Sequence, residues 1–156
     1  MTAIRRLADD REGRLCAELM STSEPWLTIG RTFDESLKLV QHPEREVYVA
    51  FDGETFRGFI ILVVNGALLG YLQIIAVTPD ARGTGIGSDL LTFAEERLFS
   101  QFKNVFLCVS SFNPRARDLY ERRGYQAIGE IPDYLIAGHS ELLMRKTIGP
   151  MVTRSA

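Results

Sequence analysis

The segment richest in chemistry runs Val77-Thr78-Pro79-Asp80-Ala81-Arg82-Gly83-Thr84-Gly85-Ile86-Gly87, between an apolar stretch and residues with helical spacing. Glycines at alternate positions let consecutive backbone N–H groups converge, and a helix opening at Gly85 or Gly87 adds about half a positive charge there. Such a turn suits a phosphate or pyrophosphate, with Arg82 placed to add a charge-assisted bond. An isolated Gly-x-Gly-x-Gly beside a solvated arginine is more often a plain turn, so its context has to decide. Two nucleotide patterns are excluded. A P-loop needs Gly-Lys-Ser/Thr where this chain has Gly87-Ser88-Asp89. A dinucleotide fingerprint needs a third glycine where Ser88 stands and an acid about 20 residues later, where Lys103 to Cys108 offers none.

A second segment, Asn113 to Tyr125, combines Asn113-Pro114, an Asn cap with Pro in the first helical turn, with Tyr120 and a terminating Gly124. By position alone Tyr120 reads as a half-buried packing residue, one after Leu119 and four before the glycine. The cysteines, Cys16 and Cys108, lack metal-ligand spacing, and no metal site is expected. Cys108 reads most simply as a small buried apolar residue, and His42 beside Pro43 as a loop residue.

These segments need a scaffold, and 156 residues suit one domain. With 46% hydrophobic and 24% charged residues the chain can bury a core, which excludes disordered and disulfide-scaffold classes. A net charge of -2 gives no bulk positive field, so neither nucleic acid nor an anionic membrane is an expected partner. Two cysteines are too few for a secreted disulfide framework, and no apolar run follows Arg5 and Arg6, so a cytoplasmic location without a leader is expected. The longest apolar stretch, Phe59 to Val64, is far short of a membrane span.

The patterning predicts a short strand at Ala3 to Leu7, then a helix capped by Asp9 or Asp10 and ending near Ser21. A loop follows to Arg31, and Thr32 with Glu35 has capping-box spacing for a second helix. Alternation at Val47, Val49 and Phe51, a turn at Asp52-Gly53, a strand from Phe56 to Val64, a turn at Asn65-Gly66 and a strand from Leu68 to Val77 predict an antiparallel meander. A helix reaches Phe99 with Ile86, Leu90, Leu91, Ala94 and Leu98 on one face; Val105 to Val109 reads as a buried strand. Tyr125 to Ile131 and Glu141 to Lys146 supply the last strands around a loop at 132–140. The expected class is α+β, a mixed, mostly antiparallel sheet of six to seven strands with about four helices, occupying residues 1–147 and leaving a short tail at 148–156.

In this context the two segments resemble the GNAT superfamily of acetyl-CoA-dependent N-acetyltransferases, over roughly Ala3 to Lys146. Arg82-Gly83-Thr84-Gly85-Ile86-Gly87 fits that family's pyrophosphate pattern, Gln/Arg-x-x-Gly-x-Gly/Ala, after a strand ending Ile74-Ile75-Ala76-Val77. Asn113 to Tyr125 is similar to the family's Asn-x-x-Ala-x-x-Leu-Tyr-x-x-x-Gly-Phe/Tyr helix and turn. The resemblance implies a sheet whose central strands splay apart, with pantetheine lying along Ile75, Ala76 and Val77, the pyrophosphate on Arg82 to Gly87, and a cofactor contact from Asn113 beside its capping role. It also implies direct attack by an amine in a ternary complex, with Tyr120 as donor to the departing thiolate; a phenol near 10 and a thiol near 8.5 make that transfer nearly balanced.

The resemblance further places the acceptor beside two variable regions. Glu24 and Trp26 lie in the first, where Glu24 would attract a cationic amine and Trp26 would stack on it, core packing being the plainer role for Trp26. Tyr134, His139 and Glu141 lie in the second; an isolated loop His139 or strand-entry Glu141 is more often simply solvated. Relatives that acetylate protein N-termini carry a glutamate where Cys108 stands, so this chain departs from them. The expected activity is acetyl transfer from acetyl-CoA to a primary amine of a small molecule or peptide. The alternative is a non-catalytic acetyl-CoA sensor, and a homodimer is compatible with the family.

Overall fold

The computed structural model describes residues 1–154; the last two residues of the expected tail lie outside them. Strand β1 (Thr2–Arg6), helices α1 (Asp10–Ser21) and α2 (Phe33–Val40), and strands β2 (Arg45–Asp52), β3 (Thr55–Val63) and β4 (Tyr71–Val77) form the first half. Helix α3 (Ile86–Phe99), β5 (Asn104–Ser110), α4 (Pro114–Arg122), β6 (Gln126–Pro132) and β7 (Ser140–Thr147) complete it. The seven strands form one sheet in the order β1-β2-β3-β4-β5-β7-β6, antiparallel except where β4 meets β5. No helix among the described residues is long and apolar enough to cross a membrane.

Local signals account for the helix starts. The Asp9 carboxylate accepts from the Glu12 N–H, Thr32 and Glu35 close the capping box reciprocally, and Asn113 Oδ1 accepts from the Ala116 N–H at 3.4 Å. The sheet is covered on both faces. Leu62, Leu72, Leu90, Leu98, Leu107 and Met144 pack with α3 on one side, while Met20, Trp26, Val49, Phe59, Ile61 and Ile74 pack with α1 and α2 on the other. Burying apolar surface on both faces of a sheet is worth about 25 cal/mol per Å² and sets which strand residues point which way.

One irregularity in β4 positions everything that follows. Leu72 pairs with Leu62 and Ile74 with Ile61, so Gln73 is an extra residue in β4. This β-bulge switches the strand's faces: Leu72 belongs to the α3 side, whereas Ile74 and Ala76 belong to the α1 side. Beyond the bulge β4 turns away from β5. Only Tyr71 and Leu72 have β5 partners, Phe106 and Leu107, leaving the backbone from Gln73 to Val77 unpaired on that side. The splayed pair expected from the resemblance is therefore present.

The Asn65-Gly66 turn is wider than its dipeptide predicts. Gly66 has φ of +95°, but the chain re-enters the sheet at Tyr71 rather than Leu68, and Leu68 is exposed. The reason is Gly70, held at φ +91° so close to the Asn104 carbonyl that a β-carbon would collide with it. That approach lets the Phe106 N–H donate to Gly70 O at 2.9 Å and begins the short parallel pairing.

Candidate active site

Helix α3 opens directly after the glycine turn. Its cap is Gly85, left-handed at φ +96°, and no side chain caps the first turn. The α3 N-terminus thus presents uncapped donors, and the space above Gly83 and Gly85 is open to 4 Å. The rim is built by backbone: Thr84 Oγ1 donates to Ala81 O and Ile86 is buried below, so Thr84, Gly85 and Ile86 shape the cradle without lining the cavity as Gly83 and Gly87 do. Arg82 Nε donates to Val77 O at 3.2 Å, and Nη2 to Ser23 Oγ at 3.4 Å, so this side chain joins the end of β4 to the α1–α2 loop.

The fork between β4 and β5 widens into a cavity of about 1450 Å³. Ile75, Ala76, Val77, Arg82, Asn113 and Tyr120 line it, together with Glu24, Trp26, Tyr134 and Glu141. Tyr120 arrives on α4 from the α3 side of the sheet, packed edge-on against Tyr125 at 5.8 Å. Its hydroxyl has no protein partner among the described residues, and burial pushes the phenol up to about 12. It therefore stays protonated across the physiological range and is a hydrogen-bond donor first. The near balance expected with a thiol at 8.5 does not survive burial, which makes the phenol a hydrogen-bond donor more than a free proton source.

The other face is less conventional. On β5, Val105, Leu107 and Val109 pack with α3, so alternation turns Phe106, Cys108 and Ser110 toward the α1–α2 side. Glu141 is the register partner of Ser110 and shares that face. Tyr71, on the last paired rung of β4, faces the Cys108 thiol, and burial raises both groups above their ordinary values. A neutral thiol argues against a covalent acetyl-cysteine. Glu141 is only 4% exposed; burial raises its carboxyl while the Ser110 hydroxyl partly offsets that.

The expected acceptor residues separate here. Trp26 is 8% exposed and serves both core and cavity wall. Glu24 lines the cavity, but its Oε2 accepts from Thr28 N at 3.1 Å and Thr28 Oγ1 at 2.6 Å, which makes it a brace of its own loop. Tyr134 is exposed at the rim. His139 is outside the cavity lining, edge-on to Phe112 at 5.0 Å. Glu141, which reads in sequence as a solvated strand-entry residue, is buried instead because its register opposite Ser110 turns it inward. Sequence reasoning missed Tyr71 and Ser110. No local signal gives Tyr71, because the Gln73 bulge breaks the alternation that would otherwise be read back from Ile74 and Ala76.

The sequence model of the Acetyltransferase (GNAT) family matches residues 12–125. The chain is 33% identical over 88 residues to blasticidin-S acetyltransferase of Streptomyces morookaense, an alignment spanning 52% of this chain and 65% of that relative. Its fold is similar to the ribosomal-protein-S18-alanine N-acetyltransferase of Escherichia coli, with a TM-score of 0.79, 17% identity and coverage of 100% of this chain and 99% of that one. It is also similar to an aminoglycoside 6'-N-acetyltransferase solved with coenzyme A, with a TM-score of 0.76, 19% identity and coverage of 97% and 99%.

Proposed function

Because the chain belongs to the acetyltransferase (GNAT) family, we propose that it transfers the acetyl group of acetyl-CoA directly to a primary amine of a small molecule or peptide. The observation that carries this reading is one cavity joining an uncapped helix N-terminus to a buried tyrosine and a buried carboxylate across a strand fork.

The residues fit the cofactor. Open space over Gly83 and Gly85 and uncapped α3 donors suit a pyrophosphate, with Arg82 beside them. The unpaired edge of β4 at Ile75, Ala76 and Val77 offers backbone groups to the amides of a pantetheine arm, as an added strand does. Asn113 lines the cavity while capping α4. Bound there, acetyl-CoA supplies a thioester: its C–S bond breaks, a C–N bond forms at the amine, and coenzyme A leaves as the thiol. Tyr120 donates its O–H toward the departing sulfur. Trp26 and Tyr134 wall the acceptor side, Glu24 holds the loop that carries Trp26, and His139, outside the cavity, has no part in this reading.

The relatives suggest which amines to try: blasticidin S, an aminoglycoside and an alanyl peptide. A screen of acetyl-CoA consumption against that panel, reading free thiol, tests the proposal. Acetylation of one amine supports it; tight acetyl-CoA binding with no acceptor turned over would make the chain an acetyl-CoA sensor. We infer a cytoplasmic location from two free cysteines. A homodimer through the exposed edge strand β6 is compatible with this reading, and gel filtration tests it.

A further inference from the structure

Three carboxylate side chains are buried among the described residues. Glu12 is held by Arg5, with oxygen–nitrogen distances of 2.6 and 3.0 Å. Glu95 accepts from Lys146 at 3.0 Å and Arg123 at 3.3 Å. Glu141 has no Lys or Arg nitrogen within ion-pair distance among the described residues, and it is the one of the three that lines the cavity. A buried charge without a partner is costly, so a carboxylate left that way beside a cavity is matched to a cation that comes from outside.

We propose that Glu141 is the acceptor-side catalytic residue, seating the incoming primary ammonium and removing its proton, with Tyr71 as the wall opposite. This rests on the acetyl-transfer reading above. The face of the sheet supports it, because Glu141, Ser110, Cys108 and Tyr71 all turn toward α1 and α2 while Tyr120 comes from the other side. Proton removal from the amine and proton delivery to the leaving group are then served by two different groups on opposite faces of one fork. Elimination points the same way. The Cys108 thiol and Tyr71 phenol are held neutral by burial, the Glu24 carboxylate is engaged by Thr28, Glu44 lines the cavity but is exposed to solvent, and His139 lies outside the lining against Phe112. The carboxylate that β5 lacks at Cys108 is thus supplied one strand over, on β7.

The step is a simple proton transfer. An N–H bond of R–NH3+ breaks, an O–H bond forms on the Glu141 carboxylate, and the nitrogen keeps the electron pair that attacks the thioester. Forming the amide releases a second N–H proton, which passes by way of the Tyr120 hydroxyl to the departing sulfur and leaves that phenol protonated. The Glu141 carboxylic acid returns the first proton to solvent through the cavity mouth. Groups facing Glu141 are Tyr71 from β4 and Cys108 and Ser110 from β5, with Tyr134 of the β6–β7 loop beyond Tyr71.

The test compares wild type, Glu141→Gln and Glu141→Asp on whichever panel amine is acetylated, across pH 6 to 10. For Glu141→Gln we expect kcat/KM near pH 7 to fall about 10²-fold or more. Its rate should climb about tenfold per pH unit, because only amine already neutral in solution reacts. Acetyl-CoA affinity by calorimetry should stay within about twofold, and Glu141→Asp should recover part of the activity at neutral pH. A Glu141→Gln enzyme with the wild-type rate and pH profile overturns this inference while leaving acetyl transfer intact. Failure of the wild type to acetylate any panel amine removes the acetyl-transfer reading and this inference with it.

Discussion

Glu141 and Ser110 are register partners across β7 and β5, and that pairing holds a carboxylate 4% exposed against a serine hydroxyl rather than a cation. Function and stability are opposed at such a position. A group retained for an external cation destabilises the empty protein in its charged form.

The sign follows from the raised carboxyl. The folded protein binds this proton more tightly than the unfolded chain, so the contribution is fully present below the ordinary carboxylate pKa and is lost as pH rises through the raised value. Gln has no such dependence. Glu141→Gln should therefore melt higher than wild type at pH 8, by about 2–4 °C for each kcal/mol recovered, and the two should converge near pH 4. Parallel melting curves against pH would contradict the burial argument.

Tyr120→Phe removes one oxygen that has no protein partner and keeps the edge-on contact with Tyr125. The fold should be unaffected, with a melting temperature within about 2 °C. Turnover should drop about 10²-fold, with acetyl-CoA affinity retained. Wild-type turnover in this variant removes Tyr120 from the chemistry.

At Gly85 a β-branched residue must adopt φ +96° and projects a side chain into the open space above the α3 N-terminus. The backbone strain alone costs about 1–3 kcal/mol. Gly85→Val should weaken acetyl-CoA binding at least about tenfold by calorimetry. Unchanged affinity would put the pyrophosphate elsewhere.

Glu95 joins α3 to Arg123 after α4 and to Lys146 of β7. Its removal leaves two partly exposed cations without their shared partner. Glu95→Ala should lower stability by about 1–3 kcal/mol in denaturant melts without changing the pH profile of catalysis. A changed profile would give this cluster a part in the reaction.

Much of this protein is legible in its sequence because the signals are local. The caps at Asp9, Thr32 and Asn113 act within three residues, the alternation of Val47, Val49 and Phe51 is a property of one strand, and the glycine turn leads straight into α3. The two segments that carry the family resemblance are each contiguous, so the family was readable. The acceptor side was decided only by tertiary structure. Tyr71, Ser110 and Glu141 come from three strands, and whether each meets the cavity or solvent depends on the Gln73 bulge and on the β5–β7 register. A shift of one residue in either reverses every side chain beyond it. The link from Arg82 to Ser23 is likewise between segments far apart in the chain. The sequence by itself determined the elements and the glycine turn that opens α3; pairing between distant strands decided which buried carboxylate lines the cavity.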